Sequence, residues 1–205
     1  MSARPTSSRL NVALGVLAAV VLGAYPVLVW FGLSSGSPRS VALVLVAAVA
    51  PAAVIRLRRS SRSHVRGLAM LPLVTVAALA IAALLDSSEG MLAVPVMINA
   101  VLLVTFAVTL RRGAMPMIER FARLQQPDLS PAQCTWCRLW TAIWCAFFVA
   151  NGGTALALAA WAPLDWWALY NGLIAYGVMG ALFAIEYLLR RRRFHHLPAD
   201  RGAHE

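Results

Sequence analysis

Apolar residues along this chain gather into six long stretches, at 11–33, 41–55, 67–85, 91–110, 139–162 and 166–189, with polar residues collected between them. A helix rises about 1.5 Å per residue and the hydrocarbon core of a bilayer is about 30 Å thick, so about 20 apolar residues cross it. Five of the six stretches meet that length. The one at 41–55 is short and carries Pro51 near its end, so it must gain reach from Ser40 or from snorkelling of Arg39 and Arg56. The pattern predicts an all-α polytopic membrane protein: six transmembrane helices in one bundle, forming a single domain over residues 1–205. The connections at 34–40 and 86–90 are short and rich in turn-forming Ser and Gly, which makes neighbouring helices antiparallel. No internal repeat is evident, so an inverted-repeat transporter is unsupported.

Composition sharpens this picture. Hydrophobic residues make up 60% of the chain, against about 45–50% in soluble domains. A net charge of +10 in a soluble protein would suggest nucleic acid, but no folded nucleic-acid module accompanies it here. All 18 basic residues are arginine, and 17 fall on alternate sides of the apolar stretches, with Arg39 alone on the other side beside Asp86, Glu89 and Asp165. The positive-inside rule then puts both termini in the cytoplasm. The lack of lysine beside abundant Ala, Val, Leu and Arg suits a GC-rich bacterial genome, so the expected location is a bacterial cytoplasmic (inner) membrane. The first stretch is longer than the apolar region of a signal peptide and reads as a retained anchor. The arginines read first as topology determinants in contact with anionic membrane lipids, and the cluster at 190–193 alternatively as a site for an anionic substrate or a partner's acidic patch.

The loop at 111–138 holds an element of its own. Within 115–126, Met117, Ile118, Phe121 and Leu124 recur at helical spacing, while Glu119, Arg120 and Arg123 fall on the other side. Pro116 suits a helix start, so a short amphipathic helix on the inner leaflet is expected, with Glu119, Arg120 and Arg123 as candidate docking residues. The plainer reading is an interfacial linker. Trp161, Trp166 and Trp167, with Tyr170, cluster about the turn at 162–165 and read as an interfacial aromatic belt.

Three polar residues inside the stretches are candidates for function. Asn151 is followed by Gly152 and Gly153, which permits either a helix-packing hydrogen bond or a kink lining a polar path; the packing bond is favoured. Glu186 is the only carboxylate within a span, but Arg190 lies four residues on, so an (i, i+4) pair is preferred to a substrate or proton site. Asn171 lies fifteen residues before Glu186, about 22 Å along one helix, so those two cannot form one local site. Cys134 and Cys137 form a CxxC spacing without the further ligands a zinc site needs and are expected to be free thiols. His64, His195, His196 and His204 show no metal-ligand spacing, and no cofactor or catalytic motif is expected.

The segments Met115-Pro116-Met117-Ile118-Glu119-Arg120, Leu129-Ser130-Pro131, the aromatic run at 140–148 leading to Asn151, and Trp167-Ala168-Leu169-Tyr170-Asn171 resemble the inner-membrane septation protein A family. The chain also resembles bacterial membrane proteins encoded with aryl polyene and fatty-acid-like synthesis genes, to which Glu186-Tyr187 before the arginine run is similar. The likeness covers about 111–193. It implies a role in envelope synthesis or division through contacts with other membrane proteins. Members of the second set carry the label ketosynthase, a chemistry that needs a soluble α/β fold with a cysteine and two histidines held together. The expectation is therefore a non-enzymatic membrane subunit that supports envelope or aryl-polyene lipid biosynthesis and docks acidic partners such as acyl carriers. Two alternatives stay open: a transporter or flippase for a lipid-like product, lined by Asn151, Asn171 and Glu186, and a membrane acyl-transferring enzyme.

Overall fold

The computed structural model describes residues 24–34, 36–59 and 71–194. The starts of the first and third apolar stretches, and all four histidines, lie outside the described residues. Among the described residues the chain is all-helical, with no strand. The helices are α1 (Ala24–Ser34), α2 (Pro38–Arg59), α3 (Leu71–Leu85), α4 (Ser88–Leu92), α5 (Val94–Ala107), α6 (Met117–Arg123), α7 (Pro131–Trp161), α8 (Leu164–Leu169) and α9 (Ala175–Phe194). A 3₁₀ turn, Val108–Leu110, extends α5, and a π-helical segment, Tyr170–Ile174, joins α8 to α9.

Three continuous helical rods are long and apolar enough to cross a membrane: Ser88–Leu110, Pro131–Trp161 and Leu164–Phe194. They mark the chain as a membrane protein by length and composition. Shorter apolar helices are Ala24–Ser34, Pro38–Ala47 and Leu73–Leu85. The helix holding the short second stretch is itself 22 residues long, so its backbone continues well past the apolar run.

Each boundary has a local cause. The α7 helix starts eight residues before the apolar stretch does, because Ser130 and Gln133 form a reciprocal cap: the Ser130 hydroxyl accepts from the Gln133 N–H at 3.3 Å and the Gln133 side chain accepts from the Ser130 N–H at 2.8 Å. Pro131 occupies the first helical position, where its missing N–H costs nothing. The α3 helix ends at Asp86, whose φ of 49° lies in the left-handed region that Asp tolerates better than most residues. There its carboxylate accepts the Arg39 backbone N–H at 2.9 Å, satisfying a free donor in the first turn of α2. Gly32 faces Val41 so closely that any Cβ would collide with it.

Two apolar clusters form the interior. The first joins Tyr25, Val29, Leu45, Leu79, Met91, Val94 and Trp167. Here α2 packs along α3, and the small residues Ala42, Ala78, Ala82 and Ala83 that these helices bring to the cluster let backbones approach. The second joins Phe106, Met117, Trp136, Trp140, Trp144 and Phe148, where α5 and α6 pack on α7.

Alternate connections gather at opposite ends of the bundle, as antiparallel neighbours require. At one end Trp30 donates to Asp165 at 2.5 Å, and the Arg39 backbone N–H donates to Asp86. At the other, Arg138 donates to the Leu110 carbonyl and Phe194 meets Trp136 edge to face at 5.9 Å. This second end carries Arg111, Arg112, Arg138 and the arginines at 190–193.

The aromatic belt around 162–165 needs one correction. Trp161 and Trp166 are exposed, at 83% and 60%, but Trp167 is fully buried. It stands in the first cluster, edge-on to Tyr25 at 6.3 Å, and donates to the Leu92 carbonyl at 3.2 Å. Pro95 explains the neighbouring bond: it has no N–H to offer the Met91 carbonyl four residues back, and the Tyr25 hydroxyl donates there instead.

Candidate functional site

Between the two apolar clusters lies a short chain of polar side chains. The Tyr170 hydroxyl donates to Asn151 Oδ1 at 2.9 Å, Asn151 Nδ2 donates to Asn99 Oδ1 at 3.1 Å, and Asn99 Nδ2 donates to the Pro95 carbonyl at 2.8 Å. Both asparagines are buried. Every donor points the same way, from the π-helical segment through α7 into α5, so three elements are tied by one directional chain. The expected packing bond at Asn151 is thus present. Of the two glycines, only Gly152 serves it, since a Cβ there would sit 3.0 Å from the Asn99 Cβ, whereas Gly153 faces open space.

Asn171 stands apart from this chain. It is buried, and its amide donates to the Trp167 carbonyl on its own helix at 2.9 Å. Glu186 pairs with Arg190 at 2.6 Å, the (i, i+4) partner the spacing offered. The three polar candidates therefore occupy separate bonding arrangements. Sequence reading gave no signal that Asn99 would meet Asn151, and it assigned Tyr170 to the belt.

The α6 helix is seated in the end of the bundle, which differs from the surface-lying helix expected. Two threonine hydroxyls hold its first turn. Thr109 accepts from the Met117 N–H at 3.0 Å while donating to the Phe106 carbonyl at 2.6 Å. Thr141 accepts from the Ile118 N–H at 3.2 Å while donating to the Cys137 carbonyl at 2.7 Å. Each hydroxyl thus fills a donor that a helix start leaves open. Met117 and Ile118 are buried as expected, but Leu124 is 79% exposed and Glu119 is buried at 8%.

Glu119 therefore does not share an outward face with the two arginines. Its carboxylate accepts from Arg123 at 2.8 Å and from the Cys134 thiol at 3.6 Å. Arg123 also donates to the Pro127 carbonyl at 2.7 Å, closing the turn after α6. The hydrogen bond to Glu119 is the main influence holding the Arg123 guanidinium above its ordinary pKa. Arg120 turns back to the Met115 carbonyl at 3.1 Å. All three candidate docking residues thus make bonds within the loop or to α7.

At the same end Trp136, Trp140, Trp144 and Phe148 form a buried column at four-residue intervals on α7. Trp144 lies 4.5 Å from Phe183 of α9, and the Arg193 guanidinium lies 5.3 Å over the Trp136 ring. Among the described residues no acceptor reaches the indole N–H of Trp136, Trp140 or Trp144. A cleft of about 270 Å³ opens beside the column, between the turn after α6, the start of α7 and the end of α9. Cys134 and Cys137 stand one turn apart as free thiols, and among the described residues no group of three His, Cys, Asp or Glu is placed to hold a metal.

Comparison of the chain with protein-family models, with curated proteins and with solved structures finds no match.

Proposed function

We propose that the chain is a non-enzymatic, six-span subunit of a bacterial inner membrane, with both termini in the cytoplasm, whose arginine-rich end docks acidic soluble proteins. Acyl carriers of envelope or aryl-polyene lipid biosynthesis are the partner class, in keeping with the resemblance of 111–193. One observation carries the reading. Glu119 and Glu186 are buried, and each is already paired with an arginine. The exposed charge at that end is therefore Arg111, Arg112, Arg138, Arg191, Arg192 and Arg193, with Asp128 alone against them among the described residues. Such a surface attracts anionic partners and raises their association rate in a salt-dependent way.

The docking residues move with this reading. Arg120 and Arg123 make bonds within the loop, so the exposed arginines take the role first given to them. A flippase lined by Asn151, Asn171 and Glu186 draws less support, because those side chains bond separately.

The test is affinity purification of the whole chain in mild detergent at low and at raised salt. Acidic carrier proteins should co-purify at low salt and fall away as salt rises. A variant with Arg111, Arg112, Arg191 and Arg192 changed to Gln should lose them. Partner recovery unchanged in the variant would overturn the docking reading.

A further inference from the structure

We infer that the groove between α1 and the start of the last rod seats one acyl chain of an aminophospholipid, with the ammonium of its head group on Asp165. The groove lies at the end opposite the arginine-rich surface and holds about 480 Å³. That falls within the roughly 300–1,000 Å³ of pockets that take up small ligands. The inference rests on the membrane character of the chain and is independent of the docking reading.

Two contacts frame the groove. At its deep end α1 rests on Gly172, where Pro26 and Val27 lie 3.6 and 3.7 Å from the position a Cβ would take. At its mouth the Trp30 indole donates to Asp165 Oδ1 at 2.5 Å. The walls are apolar, and Val27, Leu169 and Leu173 among them are exposed. Seven residues separate Asp165 from Gly172, about 10 Å along the rod. The groove therefore takes the stretch of one acyl chain next to the head group.

Apolar walls accept any lipid chain; the charge at the mouth selects the lipid. Asp165 is exposed, and its second oxygen, Oδ2, has no partner among the described residues. The connections at this end carry Asp86, Glu89 and Asp165 against Arg39 alone. Such a mouth favours a head group that brings a cation. A primary ammonium offers three N–H donors, as lysine does. The trimethylated nitrogen of choline carries the same charge with no donor, so ethanolamine heads are preferred over choline heads.

Depth agrees with this division of labour. Trp161 and Trp166 stand on either side of Asp165 in the chain, and both are exposed. Amphipathic rings of this kind sit at the level of lipid head groups. Leu173 lies eight residues beyond Asp165, about 12 Å further along the rod and into the hydrocarbon. The carboxylate thus meets head groups while the walls meet acyl chains.

The experiment reconstitutes the full chain in nanodiscs of equal parts phosphatidylethanolamine and phosphatidylcholine with the same acyl chains, then releases it for native mass spectrometry. One phosphatidylethanolamine per chain should be retained about fivefold more often than phosphatidylcholine. Adding one methyl at a time to the ethanolamine nitrogen should lower that preference stepwise. Asp165→Asn keeps an acceptor for Trp30 but removes the charge, and should bring retention of the two lipids level. Glu89→Gln removes a charge at the same end outside the groove and should behave as the parent. Lysophosphatidylethanolamine should displace the retained lipid, whereas glycerophosphoethanolamine, a head group without chains, should not. Should Asp165→Asn fail to fold, the methylation series on the parent carries the same comparison. The proposal is overturned if the parent retains both lipids equally, which is general lipid contact only, or if Asp165→Asn keeps the preference. It is equally overturned if Glu89→Gln loses as much, if the chainless head group displaces the lipid, or if a second copy of the chain is retained in place of lipid.

Discussion

Asn151 and Asn99 meet amide to amide at 3.1 Å although 52 residues separate them, and the bond bridges α7 and α5 between the two apolar clusters. Neither amide has water to fall back on at that depth, so each depends on the other. Asn151→Leu should leave the Tyr170 hydroxyl and the Asn99 carbonyl unpaired and cost about 1–2 kcal/mol. A double-mutant cycle with Asn99→Leu should give a coupling of about 0.5–2 kcal/mol. Asn171→Leu, whose amide bonds only its own helix, should show no coupling to Asn99. Reversible unfolding in mixed micelles measures all three.

The two adjacent glycines make a sharper comparison. Alanine favours a helix over glycine by about 1 kcal/mol, so Gly153→Ala, facing open space, should stabilise by up to that amount. Gly152→Ala puts a methyl 3.0 Å from the Asn99 Cβ and should lose about 1 kcal/mol, since overpacking outweighs propensity. Equal effects at the two positions would count against the close approach of α5 and α7.

Thr141 holds α6 through a hydrogen bond from the Ile118 N–H. Thr141→Val preserves shape and removes the acceptor, leaving a buried N–H unpaired at a cost of about 1–3 kcal/mol. Limited proteolysis should then cut within 111–130 faster than in the parent. An unchanged cleavage rate would show that α6 does not depend on that hydroxyl.

Glu186 lies at the same end and should be tolerant. Glu186→Gln keeps an acceptor for Arg190, so stability and partner binding should change by less than about 1 kcal/mol. Loss of activity at normal membrane abundance would reveal a proton or substrate site instead.

Topology provides a separate check. Reporter fusions after Arg66 and Arg138 should read cytoplasmic, and fusions near Glu89 and Pro163 external. An external signal at Arg138 would sink the six-span arrangement.

How much of this was legible in the sequence depends on the range of the interaction concerned. Hydropathy and length predicted the helical rods, because membrane crossing is a property of one segment at a time. The Glu186–Arg190 pair was legible for the same reason, being fixed by spacing along one helix. The cap formed by Ser130 and Gln133 was local too, and its residues spell a capping signal that hydropathy alone passes over. Trp167 was misassigned because composition cannot tell a ring at the lipid interface from one turned inward to reach the Leu92 carbonyl. Glu119 was misassigned because helical spacing separates it from Met117 and Ile118 only weakly, and Arg123 and Cys134 at the start of α7 hold it inward. The meeting of Asn99 with Asn151 and the seating of α6 by Thr141 are contacts between distant segments, which no single-segment pattern carries.

The π-helical turn at Tyr170–Ile174 takes up a surplus residue in the last rod. A π turn holds about one residue more than an α turn, so each of its residues turns through less than the about 100° of an α residue. Trp167 before the turn, Asn171 within it and Glu186 beyond it are all buried. Deleting one residue from the turn and restoring ordinary winding would leave the total rotation nearly unchanged, so Phe183 would stay on Trp144 and Arg190 at Glu186. Forcing ordinary winding on the turn with no residue removed would instead swing everything after it by roughly a quarter of a revolution. The orientation of the arginine-rich end thus depends on a winding defect in the opposite half of the rod.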